Sequence, residues 1–162
     1  GHYVQDLAGR AQTLGLGERF VFQPYQARER LGSSLNAPDV HWLSLRPELE
    51  GLIVPSKFYG IAAAGRPLIA VGALDGEIAR IIGEHQCGAV VASGDAAGFA
   101  RIILQLAADT ASGQGIGQGI DDGIGARMGE LARALIDRRF ARRLAFARWA
   151  DLLDGLAASD AR

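Results

Sequence analysis

One ammonium group stands apart in this chain. Of 17 basic residues among 162, Lys57 is the sole lysine and the rest are arginines. It lies in the stretch GLIVPSKFYG, residues 51–60, where an apolar run meets Pro55 and a small-residue helix is expected from near Ser56. An ammonium is a compact, hydrated point charge on a flexible stem, which a planar guanidinium does not reproduce. A cation in the first turn of a helix opposes the positive end of the helix dipole unless an anion is bound there as well. Two readings follow. Either Lys57 and the amides around Ser56 receive a phosphate, or Lys57 is a solvated first-turn side chain and Ser56 an ordinary N-cap. Glu50, just upstream, is in the same way either a site carboxylate or a surface group beside Glu48.

Other chemistries lack their spacing. His2, His41 and His85 are scattered, with no His-Glu-x-x-His or comparable metal pattern, so no metal is expected. His41, beside Trp42 in a strand candidate, reads as packing. Cys87 cannot form an internal disulfide and reads as a small buried hydrophobe. No Gly-x-Ser-x-Gly elbow supports a hydrolase triad. The stretch SGQGIGQGIDDGIG, residues 112–125, has no Gly-x-Gly-x-x-Gly register and follows a helix rather than a strand, which excludes a dinucleotide fingerprint. It reads as a flexible, glycine-rich surface insert.

The elements that must position Lys57 are legible from periodicity. Val4, Leu7, Ala8, Ala11 and Leu14 share one helical face. Then come an apolar run, RFVFQ; a helix around ARERLGSSLNA; a strand candidate, DVHWLSL, from Asp39; and the helix from Ser56. PLIAV, a helix GEIARIIGEH and a strand GAVVA follow, and Asp95 is a fitting N-cap for AAGFARIILQLAAD. Two helices close the chain. The second carries an apolar stripe of Leu144, Phe146, Trp149, Leu153 and Leu156 that wants a partner. Four strand–helix alternations predict an α/β fold, a Rossmann-like parallel sheet with helices on both faces. The expected division is 1–139 for that domain and 140–162 for a closing helix and tail. Since such a domain normally begins on a strand, the first strand or strands are expected to be missing and the sheet edge either unpaired or covered by material outside this sequence.

Composition narrows the function classes. With 17 basic and 18 acidic residues, no bulk field draws the chain to nucleic acid. No run of about 18 apolar residues spans a membrane, and the first residues show no signal pattern. A reducing cytoplasm is the simplest expectation for a lone cysteine. Arg138, Arg139, Arg142 and Arg143 read as a solvated helix face or as a contact with anionic lipid, where each charge adds about 1 kcal/mol.

Taken in order, PDVHWLSL (residues 38–45), Glu50-Gly51, Pro55-Ser56-Lys57 with an aromatic, AAAGRP (62–67), GEIARII (76–82), CGAVV with Gly94-Asp95, and MGELAR resemble one family. It is the nucleotide-sugar half of retaining bacterial glycosyltransferases of the two-Rossmann-domain GT-B architecture, of the colanic-acid or exopolysaccharide type. The likeness runs from about residue 14 to the end, interrupted by the glycine-rich insert. It implies transfer of a sugar from a nucleotide-sugar donor to a glycan or lipid-linked acceptor in cell-surface polysaccharide synthesis. It implies no cofactor beyond that donor, and a peripheral attachment at the inner membrane face.

The resemblance also implies roles. Glu50 and Gly51 match the acidic-glycine step that approaches the donor sugar near the reaction centre, and Glu50 is the catalytic candidate. The amides of Leu52 and Ile53 match those that meet the diphosphate, and Ser56 and Lys57 match a serine-lysine pair at the helix entrance. The ribose-binding glutamate of the family falls on Gly60, which has no side chain, so Tyr59 or Glu77 is the expected substitute. The arginine-lysine pair that neutralises the departing diphosphate, and the acceptor-binding domain, would precede Gly1. Fixed positive charge is often the largest catalytic contribution, so the chain alone is expected to be inactive. Two alternatives are a degenerate nucleotide-binding or interaction module, and an epimerase on the same architecture, whose acid and base residues are not evident.

Overall fold

The computed structural model describes residues 3–109 and 123–160, with side chains through 157. Residues 112–122 of the glycine-rich insert lie outside the described residues. The chain divides into two compact units, Gly1–Ser34 and Leu35–Arg162.

In the first unit, helix α1 (Val4–Thr13) buries Ala11, while Val4, Leu7 and Leu14 remain exposed. A 3-10 turn, Gly17–Arg19, leads into the segment expected to be a strand. Here the structure corrects the sequence reading. The backbone from Phe20 to Ala27 belongs to no strand, and among the described residues the sheet has three strands, not four. Strand character needs a hydrogen-bonded neighbour, and this unit offers none among the described residues. Phe20 and Phe22 stack on each other instead, 6.3 Å between ring centroids, and stay partly in solvent. The next expected helix breaks into a 3-10 turn, Arg28–Arg30, and the short α2 (Leu31–Asn36).

The second unit is an α/β layer structure. Strands β1 (His41–Ser44), β2 (Leu68–Gly72) and β3 (Ala89–Ala92) pair in parallel, in the order β1-β2-β3. His41 aligns with Leu68, and Ile69 with Ala89. Parallel neighbours need long crossovers. Helices α3 (Lys57–Ala63) and α4 (Glu77–His85) supply them. The central strand β2 reads as an unbroken apolar run because both its faces are covered. Its Leu68 and Ala70 join Leu43, Phe58, Ile61, Ile78, Ile81, Ile82 and Cys87 in one core. Ile69 faces the other way, to Val91 and Leu106. That second face is covered by α5 (Ala96–Asp109), whose Phe99 meets Trp42 edge to face at 5.6 Å. Helices therefore lie on both faces. β1 alternates instead, with Leu43 buried and Trp42 and Ser44 exposed, since α5 covers the second face of this strand only in part.

Several local readings hold. Asp95 Oδ1 accepts from the Gly98 amide at 2.8 Å, capping α5 as its position suggested. Cys87 is fully buried. His41 is structural: its Nε2 lies 2.8 Å from the Leu35 carbonyl. Helix α6 (Ile124–Leu135) runs into a π-helical turn, Ile136–Phe140, and then α7 (Arg142–Asp160). Of the apolar stripe of α7, Phe146, Trp149, Leu153 and Leu156 are each more than half accessible, while Leu144 is half-buried. No helix among the described residues is long and apolar enough to cross a membrane.

Candidate functional site

Helices that follow parallel strands start at the carboxyl edge of the sheet, where ligands of open α/β sheets bind. The starts of α3 and α4, and the segment between β1 and α3, therefore share one edge. Every candidate residue read from the sequence lies on this edge or in the first turns of these helices.

The segment from Pro47 to Val54 is built from two consecutive turns. A 3-10 turn, Pro47–Leu49, is followed by a turn over Leu49, Glu50, Gly51 and Leu52. Glu50 has φ −60° and ψ 135°, and Gly51 has φ +76°. These are the central angles of a type II turn, whose third residue must tolerate positive φ, hence glycine. The Leu52 amide closes the turn on the Leu49 carbonyl at 3.1 Å, and the Ile53 amide donates to the same oxygen at 3.3 Å. The two amides matched to a diphosphate are thus engaged by the chain itself. Leu49 was missed by the sequence reading, although Leu-Glu-Gly-Leu carries the type II signature.

The turn directs Glu50 sideways onto α4. Its Oε2 accepts from the Glu77 amide at 3.4 Å, across 27 positions. Gly76 occupies the N-cap position of α4 and has no side chain to fill that role. A methyl group there would stand 2.5 Å from Glu50 Oε1. Gly76 is the second residue that sequence reasoning missed, and its signal was a helix start without a capping side chain.

Tyr59 belongs to the same corner. Burial pushes its phenol above the usual tyrosine range, and the negative charge of Glu77 adds to the effect. Its ring packs edge to face on Phe58 and Phe140, at 5.3 and 5.1 Å. Gly60 faces elsewhere: a methyl on it would meet Leu35 Cδ1 at 3.4 Å. Glu50 therefore meets the Glu77 amide and the Glu77 charge reaches Tyr59, whereas Ser56 and Lys57 both point to solvent. Ser56 sits at the N-cap position of α3 with helical angles and makes no side-chain cap bond, so the ordinary N-cap expected of it is not formed.

Between Glu50, Pro55, Leu43, Leu45, Val71 and Gly72 lies a crevice of about 10 Å³. A single water needs about that much room. Among the described residues no group of three or more His, Cys, Asp or Glu side chains is arranged to hold a metal. No protein-family model, curated protein or solved structure matches the chain.

Proposed function

We propose that this chain is the donor-binding part of a retaining glycosyltransferase of GT-B type, acting in the cytoplasm on a nucleotide-sugar. In this reading a glycan or lipid-linked acceptor is held by a partner domain, and the enzyme builds cell-surface polysaccharide. What supports it is a coincidence of position. The only lysine of the chain is exposed in the first turn of a helix that starts at the carboxyl edge of a parallel sheet. That is where a diphosphate meets main-chain donors in such folds. Lys57 would hold the diphosphate by charge, and Tyr59 or Glu77 would stand in for the ribose-binding glutamate that Gly60 lacks. Glu50 would face the donor sugar only after leaving the α4 amide.

A second reading has its own observation. The Leu52 and Ile53 amides already bond to Leu49 and the crevice admits about one water, which favours a module that has lost turnover. Calorimetric titration with uridine and guanosine diphosphates separates the two. Donor binding requires a saturable heat that the Lys57→Ala variant weakens at least about tenfold, the effect of losing one charge-assisted contact. Equal weak binding by both proteins removes the phosphate role of Lys57.

A further inference from the structure

We infer that Glu50 is a latch: its carboxylate clasps the first amide of α4 and holds the segment 47–54 closed over the carboxyl edge of the sheet. Gly76 is the keeper that makes room for it. This goes beyond the proposed function and does not rest on it.

Three observations converge. First, the Glu77 amide donates to Glu50 Oε2 at 3.4 Å, from an element 27 positions away. Second, Gly76 has φ −66° and ψ 167°, a conformation open to any residue, so the backbone does not demand glycine there. A methyl there would stand 2.5 Å from Glu50 Oε1, the far end of a flexible side chain, so what a larger residue displaces is the carboxylate. Third, little else ties the segment down. Its amide bonds close on itself, Leu49 to Arg46, Glu50 to Pro47, and Leu52 and Ile53 to Leu49. Of its apolar side chains only Leu49 is half-buried, while Leu52, Ile53 and Val54 are exposed by 75%, 51% and 57%, so burial anchors it at one point only. Beneath it lies the crevice of about 10 Å³ that Glu50 and Pro55 help to line. Release of the carboxylate opens that crevice to molecules larger than water.

The latch predicts motion, which a spin label reads. Leu52→Cys provides an exposed labelling site, and the native Cys87 does not compete because it is fully buried. A nitroxide at position 52 is then followed in three backgrounds: unaltered, Glu50→Ala and Gly76→Ala, each checked for fold by far-ultraviolet circular dichroism. A hydrogen bond of ordinary net strength shifts an open-to-closed ratio about fivefold, so the mobile component is expected to rise by about that factor in each variant. Both changes together are expected to do no more than either alone, because they remove one shared contact. Glu50→Gln keeps an acceptor oxygen and is expected to restore most of the ordered component. A spectrum unchanged by Gly76→Ala, or by Glu50→Ala, overturns the latch. So does a label already fully mobile in the unaltered background.

Discussion

The two ends of helix α3 are built to different standards. At its carboxyl end Gly65 turns the chain with φ +67°, and its amide bonds back to the Ala62 carbonyl at 3.0 Å. Arg133 on α6 donates to the Ala63 carbonyl at 2.6 Å, and Arg66 donates to the Asn36 carbonyl at 2.6 Å. Gly129 of α6 packs directly on the Gly65 carbonyl, where a methyl would collide. At the amino end, three residues in a row are exposed and apolar, Ser56 caps nothing, and Lys57 stands in solvent. The quoted motif therefore divides in two. AAAGRP is bracing that fixes where β2 begins, while EGLIVPSK is an edge held by turns and one carboxylate.

The strongest way to break this contrast is to overfill the braced end. Gly129→Ala forces a methyl against the backbone of Gly65, and overpacking of this kind costs about 3 kcal/mol. Urea unfolding is expected to show a lower midpoint at an unchanged slope; an unchanged midpoint means that the two helices separate freely. A finer comparison sets two helix starts side by side. Asp95→Ala removes a formed cap from α5 and is expected to cost about 1 kcal/mol, whereas Ser56→Ala at the start of α3 should cost less than about 0.5 kcal/mol. Equal losses in the same unfolding assay would show that α3 is capped after all.

The smallest effect is alkaline. Because the Tyr59 phenol is raised above its ordinary value of 10.0, the folded chain keeps that proton to higher pH than the unfolded chain does. Its contribution to stability is complete below about pH 10 and is lost as pH rises through the folded value. Tyr59→Phe is expected to flatten the fall in stability above pH 10 while leaving the slope at pH 7 unchanged, as read by denaturant melts across that range.

What the sequence disclosed and what it withheld separate along the same line. Helices α4 and α5 and strand β2 were legible because their signals are local: an apolar period, a cap at Asp95, a continuous apolar run between Pro67 and Gly72. The run at residues 19–23 misled because strand character is a property of a pair, and its hydrophobicity says nothing about a neighbour. At the candidate site the residue types were visible and their partners were not. That Leu49 would take the amides of Leu52 and Ile53 was readable from Gly51 as a turn residue. That Glu50 would close on Glu77 was not, because no local pattern joins positions so far apart.

The π-helical turn at Ile136–Phe140 separates a helix that buries Gly129, Ala132 and Leu135 from one that buries no described side chain. Helix α7 nevertheless contributes 19 residues to the helical signal. Each of the two tryptophans falls on one side of this break, Trp42 in the sheet and Trp149 in the last helix. A melt followed by circular dichroism therefore blends two events, fraying of a solvated rod and collapse of a layered core. A single free energy fitted to it describes neither.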